Sequence, residues 1–239
     1  MSGLARTLSK LGHCSRSQAT VLVLEGRVKL NGRVRRDPET PVRIGVDAIE
    51  IDNAAVKAAA RIHVMLNKPR GLVTTTTDEL GRDTVYACFT GTTLPHLPAV
   101  GRLDKASEGL LLFSNDNAWA NAITDPATHL DKTYHVQIAT LADDALLHRL
   151  HAGITDGSDR LRVKRATVLR HGEKNTWLEI VLDEGRNRHI RRLLNAFEIE
   201  VLRLVRVAIG TLKLGDLTKG QWRHLTPGEV RALTPQSPR

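Results

Sequence analysis

Two cysteines in 239 residues, Cys14 and Cys88, are too few for a disulfide framework, and neither belongs to a Cys-x-x-Cys pair. Reduced thiols in a cytoplasmic protein are the expectation that follows. No apolar run approaches the ~18 residues needed to cross a bilayer, and the N-terminus lacks the charged-then-apolar layout of a secretion signal. Aromatic residues are only 3% of the chain, which disfavours RNA-binding modes that need rows of stacking side chains. There is no Walker loop or Gly-x-Gly-x-x-Gly fingerprint, and no Gly-x-Ser-x-Gly elbow to support a Ser-His-Asp site. His148 and His151 share an expected helix, but no Asp, Glu or Cys joins them at a recognised ligand spacing. Neither a metal nor a cofactor is expected.

What the chain does contain is a core and an uneven charge. A hydrophobic content of 41% can supply one large domain, or a small one plus a larger one. The net charge of +9 points to a polyanionic partner. Residues 1–36 carry Arg6, Lys10, Arg16, Arg27, Lys29, Arg33, Arg35 and Arg36 against Glu25 alone, so most of the excess sits in the first sixth of the chain. These cations are interleaved with apolar positions and turn signals, and the segment reads as a folded basic module.

Local patterns divide the chain further. Ser15 is an N-cap candidate for a helix over about residues 16–25, with Gly26 as its left-handed stop. Val28, Leu30 and Val34 alternate around Asn31-Gly32, a tight-hairpin dipeptide. Pro41, Gly45, Ile49 and Ile51 suggest one more short strand pair, so two helices and a small sheet fill residues 1–52. Residues 53–60, alanine-rich and nearly featureless, read as a linker. A second domain, 61–239, opens with an apolar strand at His63–Leu66 that ends at Asn67-Lys68-Pro69-Arg70-Gly71, and Thr74–Thr77 leads into a polar loop. Helices are expected over residues 117–123 and 143–151, and strands over 132–139, 176–183, 201–207 and near Trp222. Strands outnumber helices without alternating regularly with them, which favours a largely antiparallel α+β sheet.

Two stretches carry the chemistry. Gly101-Arg102-Leu103-Asp104 lies between an apolar lead-in and Gly109-Leu110-Leu111-Leu112-Phe113, so rigid structure holds the aspartate while leaving it accessible. Arg102 and Lys105 flank it and favour its ionised form, which suits a nucleophile or base. In Gly185-Arg186-Asn187-Arg188-His189-Ile190-Arg191-Arg192, helical spacing from Arg188 sets Ile190, Leu193, Leu194 and Phe197 on one stripe. Arg188, Arg191, Arg192 and Asn195 lie on an adjoining face. Arginines crowded at a helix start oppose its dipole, so stability alone does not explain them. Binding phosphate, with one guanidinium paired to a buried carboxylate, does.

Gly-Arg-Leu-Asp, four residues, then Gly-Leu-Leu-Leu resembles the catalytic motif of pseudouridine synthases of the RsuA/RluB/RluE family. Lys132-Thr133-Tyr134-His135-Val136 resembles a second motif and the arginine stretch a third. Leu11–Ala19 and Gly26–Gly32 are similar to the α-L RNA-binding module of ribosomal protein S-four. The resemblance implies a small N-terminal α-L domain and a larger, mainly antiparallel mixed-sheet catalytic domain. It implies Asp104 as the catalytic group, Tyr134 stacked on the target base, Arg191 set against Asp104, and Ile190 at the edge of the base pocket. Arg102, Arg186, Arg188 and Arg192, with Lys10, Arg16 and Arg27 of the basic module, are then the substrate-binding candidates. The partner implied is ribosomal RNA, and a monomer suffices. Large-subunit RNA is favoured over small-subunit RNA by the compact residues 82–85 and the short insert between Thr155 and Thr167. A non-catalytic RNA-binding or ribosome-assembly protein is the alternative. His189 stands where the family usually has glutamine or glutamate, and Asn117 where glycine is common.

Overall fold

The computed structural model describes every residue except 58, 59, 77, 96 and 235–239. Part of the expected linker (58 and 59) and the head of the expected polar loop (77) therefore lie outside the described residues. The chain forms two compact units. One comprises Met1–His63, Gly91–Pro98 and Phe113–Ala118; the other comprises Val64–Thr90, Ala99–Leu112 and the chain from Trp119 onward.

The first unit runs β1 (Ser2–Gly3), α1 (Leu4–Lys10), α2 (Arg16–Leu24), β2 (Val28–Leu30), β3 (Arg33–Val34), β4 (Pro41–Val42), β5 (Ile49–Ile51) and β6 (Ala54–Ala55). Helix α2 begins where a capping box allows: the Gln18 amide donates to Ser15 Oγ at 3.2 Å, and the Ser15 amide donates to Gln18 Oε1 at 3.0 Å. Gly26 stops it with φ +76°. Asn31 and Gly32 both have positive φ, as a tight hairpin between β2 and β3 requires. The two helices and the sheet β3-β2-β5-β6 enclose Leu4, Leu8, Val23, Val28, Ile49 and Ile51.

Two local expectations change here. The segments at Pro41 and Ile49 do not pair with each other: β4 pairs with β1, and β5 lies between β2 and β6. The supposed linker begins as a strand, because Asp52 (φ 49°) and Asn53 (φ 66°) turn left-handed and return Ala54–Ala55 onto Glu50–Ile51. Alanine carries no alternation signal, so the turn, not the strand, was the readable feature.

Most of the second unit is built on a nine-stranded sheet, begun by β7 (His63–Lys68), β8 (Ala99–Val100) and β9 (Glu108–Ser114), of which His63, Phe113 and Ser114 are counted with the first unit. Then follow α3 (Asn117–Thr124), β10 (Lys132–Ile138), α4 (Asp144–Ala152), the hairpin β11 (Ile154–Asp156) and β12 (Asp159–Leu161), and β13 (Arg165–His171). The chain continues through β14 (Thr176–Leu182), α5 (His189–Asn195), β15 (Val201–Ile209), β16 (Leu212–Lys213), β17 (Trp222–His224) and α6 (Pro227–Leu233). The strand order is β13-β14-β10-β15-β9-β7-β17, with β16 on β15 and β8 on β9. Pairing is antiparallel at β13/β14, β14/β10, β10/β15 and β7/β17, and parallel at β15/β9, giving the mainly antiparallel mixed sheet of an α+β protein.

Strand alternation puts Val136 and Ile138 into a core with Leu178, Ile180 and Leu204, which α4 and α5 cover with Leu146, Leu150, Leu193 and Leu194. A second core gathers Met65, Val100, Leu110, Leu112, Trp119 and Ile209. At the parallel joint, Gly109 (φ +101°) faces Arg206, and a Cβ there would collide with the Arg206 carbonyl. Only glycine lets these two backbones meet.

Candidate active site

The segment between β8 and β9 carries Asp104 and is pinned from beneath. Thr74 Oγ1 donates to the Leu103 carbonyl at 2.7 Å, and the Gly71 amide donates to that of Lys105 at 2.8 Å. The Ser107 amide closes the turn onto the Asp104 carbonyl at 2.9 Å. Below lies Lys68, fully buried at the end of β7. Its ammonium donates to the carbonyls of Ser107 (2.8 Å), Pro69 (3.1 Å) and Asp104 (3.2 Å). Burial brings the Lys68 pKa down to about 8. Segment 68–74, which the sequence offered only as a strand end and a loop, is therefore the mount of the aspartate.

The Asp104 side chain is about one-third exposed and lines a cavity of about 330 Å³ together with Tyr134, Arg188, Ile190, Arg191 and Arg206. That volume falls in the range of small-ligand sites. Tyr134 is half-buried on β10, its ring packed against the core beside the cavity. Ile190 is buried in the cavity wall, and Arg102 is exposed at it.

The arginine stretch divides by role. Arg188 begins α5 in the left-handed conformation (φ 49°), costly for a residue with a Cβ, and its guanidinium is 3.8 Å from Asp104 Oδ2. Among the described residues this is the cation within 4 Å of that carboxylate. Arg191 instead donates to the carbonyls of Ala106 (3.1 Å) and Val201 (3.3 Å), so it grips the backbone two residues beyond Asp104. Burial, and then the like charge of Arg188, lower its pKa while Asp104 opposes them. Arg186 and Arg192, expected on phosphate, are engaged by carboxylates. Arg186 meets Asp159 at 2.6 Å and Glu184 at 3.1 Å; Arg192 meets Asp156 at 2.6 Å and Asp159 at 2.8 Å. They tie α5 to the β11–β12 hairpin, whose acids the linear reading had not connected to them.

His189 is buried with Nε2 at 2.9 Å from the Arg162 carbonyl, so that nitrogen is the donor. Desolvation lowers its pKa, which makes a neutral imidazole the form that fits. In the first unit, Arg27 makes a two-point pair with Asp52 (2.6 and 3.0 Å) and Arg16 stands 3.8 Å from Glu39. Lys10, exposed at the end of α1, has no ion pair among the described residues. No group of three or more His, Cys, Asp or Glu suited to a metal ion occurs among the described residues, and no described helix is long and apolar enough to cross a membrane.

Sequence reasoning missed three charged residues around this site. Lys68 and Arg206 are the first two, and each interrupts an apolar strand, which was the available signal. The third is Glu108, whose buried carboxylate is held by Arg203 (2.8 and 3.0 Å) and Lys219 (2.5 Å) and lowered to about 2, chiefly by the Arg203 hydrogen bonds.

The RNA pseudouridylate synthase family profile matches residues 62–196, more than half of the chain, and an S4 domain profile matches residues 3–47. The chain belongs to the RNA pseudouridylate synthase family. An RNA pseudouridine synthase of Aquifex aeolicus (strain VF5), itself described as uncharacterised, is 39% identical over 95% of this chain and 91% of its own. The ribosomal large subunit pseudouridine synthase B of Bacillus subtilis (strain 168) is 34% identical over 98% and 96%. A pseudouridylate synthase crystal structure superposes with a TM-score of 0.68 at 28% identity, covering 98% of this chain and all of that one. As a pseudouridylate synthase with an S4 domain, the protein takes RNA as its substrate.

Proposed function

We propose that this synthase converts a specific uridine of ribosomal RNA, in the large subunit, into pseudouridine, with Asp104 as the reacting group. The observation that carries the reading is Asp104 itself: a carboxylate on a clamped turn, open to a cavity that also holds Tyr134. The large-subunit assignment is supported by the name of the Bacillus relative, a ribosomal large subunit pseudouridine synthase. The target nucleotide must first leave its stack, at a cost of a few kcal/mol. Asp104 then either attacks the anomeric carbon or removes the neighbouring sugar proton, and the N1–C1′ bond breaks. The base turns in the cavity, held by Tyr134, and its C5 bonds to C1′. Loss of the C5 proton, with Tyr134 assisting, completes an isomerisation that consumes nothing.

In this reading Arg188 neutralises Asp104 before reaction, Arg191 fixes its loop, and Ile190 bounds the base. Arg102 and Arg188 meet phosphate. Residues 1–52 act as the RNA-gripping module, 53–60 connect, and 61–239 catalyse. Lys10 and Arg16 are its free or loosely held phosphate contacts, and the protein works as a cytoplasmic monomer.

The test is Asp104→Asn, with modified uridines mapped in large-subunit RNA and RNA affinity measured in parallel. The parent should modify its site and the variant should be slower by about 10³-fold or more, with affinity retained. No modification by the parent, with RNA still bound, would favour the non-catalytic binder.

A further inference from the structure

Two cations share the cavity with no ion pair of their own among the described residues. Arg206 is 7% exposed and sits on β15 directly across from Tyr134 on β10. Its Nε donates to the Leu110 carbonyl at 2.7 Å, and its Nη2 is buried with no hydrogen-bond partner among the described residues. Lys132 lies two residues before Tyr134, hence on the same face of β10, and lines the same cavity. Neither has a carboxylate within 4 Å among the described residues. The acids nearest to Lys132 are Asp131 and Asp183; Asp131 meets Lys164 at 2.8 Å, and Asp183 lies 3.6 Å from His129 Nδ1. Burial, and then the Arg206 charge, lower the Lys132 pKa, outweighing the opposing charges of Asp131 and Asp183. Arg206 is a buried cation and Lys132 a half-buried one, and two like charges near each other repel. The fold accordingly maintains positive potential in the wall of the cavity, beyond the Arg188 charge that is spent on Asp104.

The reaction gives that potential a use. When the N1–C1′ bond breaks, its electron pair leaves with N1 and the ring becomes a uracil anion with charge spread onto its carbonyl oxygens. If Asp104 attacks C1′, its negative charge disappears into the new ester bond. If it removes the sugar proton, it becomes a neutral acid. Either way one negative charge moves from the carboxylate to the base. We infer that Arg206 and Lys132 form a cationic wall that receives this charge and so stabilises the departing uracil. This rests on the uridine isomerisation proposed above and deepens it. Arg188 serves the charge before transfer, Arg206 and Lys132 after it. Fixed charges in a partly dehydrated site need no reorganisation as the bond breaks.

The test compares leaving groups. Large-subunit RNA fragments transcribed with uridine or with 5-fluorouridine are mixed with excess full-length protein, and loss of the starting nucleoside is followed by digestion and chromatography. Fluorine withdraws electrons and stabilises the anion without help from the protein. Lys132→Gln and Arg206→Gln should slow the uridine reaction by roughly 10²- to 10³-fold, and the fluorinated one by at least tenfold less. The Lys132 side chain makes no hydrogen bond among the described residues, so its variant keeps the test valid should Arg206→Gln fail to fold. Equal slowing of both substrates, or no slowing by Lys132→Gln, would overturn the inference while leaving the isomerisation intact. Absence of any reaction by the parent protein would remove both.

Discussion

Asp104 and the guanidiniums near it show how far one motif can be read. Its place on a rigid, accessible turn was evident from apolar sequence on either side. Which arginine meets it was not, because helical spacing gives a face and not a reach. The left-handed start at Arg188 brings that side chain to Asp104, whereas Arg191 reaches the Ala106 carbonyl. The two therefore separate in experiment. Arg191→Ala should reduce single-turnover conversion by roughly 10²- to 10³-fold with little change in RNA affinity, because it frees the loop that aims the carboxylate. If Arg191→Ala mainly weakened binding, and more so at high salt, it would be a phosphate contact instead. Tyr134, marked by its motif, packs on the core and also lines the cavity. Lys68 and Arg206 were not legible, since a single charge in an apolar strand has no spacing to interpret until its neighbours are known, and Lys132 stood out only as the head of the tyrosine motif.

Among the elements, those with chemical punctuation were the readable ones. Ser15 with Gln18 started α2, Asn31-Gly32 closed a hairpin, and Asp143 capped α4 through the Leu146 amide at 2.8 Å. Strand β13 has no such marks: its residues are mostly exposed, as on a sheet edge, and only Ala166 is buried. Helix α6, capped by Thr226 and Glu229 with Pro227 behind, carried a readable signal that was passed over. The cap supports a prediction. Ser15→Ala should destabilise α2 by about 1 kcal/mol, seen as faster amide exchange confined to the first unit.

Strand β9 offers a second prediction through Glu108. Its pKa is depressed from 4.5 to about 2 in the fold, so it contributes stability above about pH 4.5 that is lost as pH falls towards 2, on the order of 3 kcal/mol. Glu108→Gln should lower stability at neutral pH by roughly 1–3 kcal/mol, because the charge-assisted hydrogen bonds from Arg203 and Lys219 are lost while those exposed cations stay solvated. Acid titration of the variant, followed by circular dichroism, should show a shallower decline across that window.

For the molecule as a whole, a charge of +9 foretold a polyanion but not which of the cations are free to meet it. Arg27, Arg186 and Arg192 are held by carboxylates, and Lys10 is not. Salt titrations of RNA binding can separate the two groups. Lys10→Ala should flatten the slope of log affinity against log salt by about one, and Arg27→Ala should leave it nearly unchanged.

The glycine wedged beneath the Arg206 backbone has a wider reach than its size suggests. It is the point where the strand leaving the aspartate turn and the strand bearing the cavity cation lie flush. Even a methyl group there would push the two supports apart and carry donor and acceptor of the migrating charge out of register. Silencing of this kind would come from the scaffold, in a protein whose nucleotide-facing side chains were all still present.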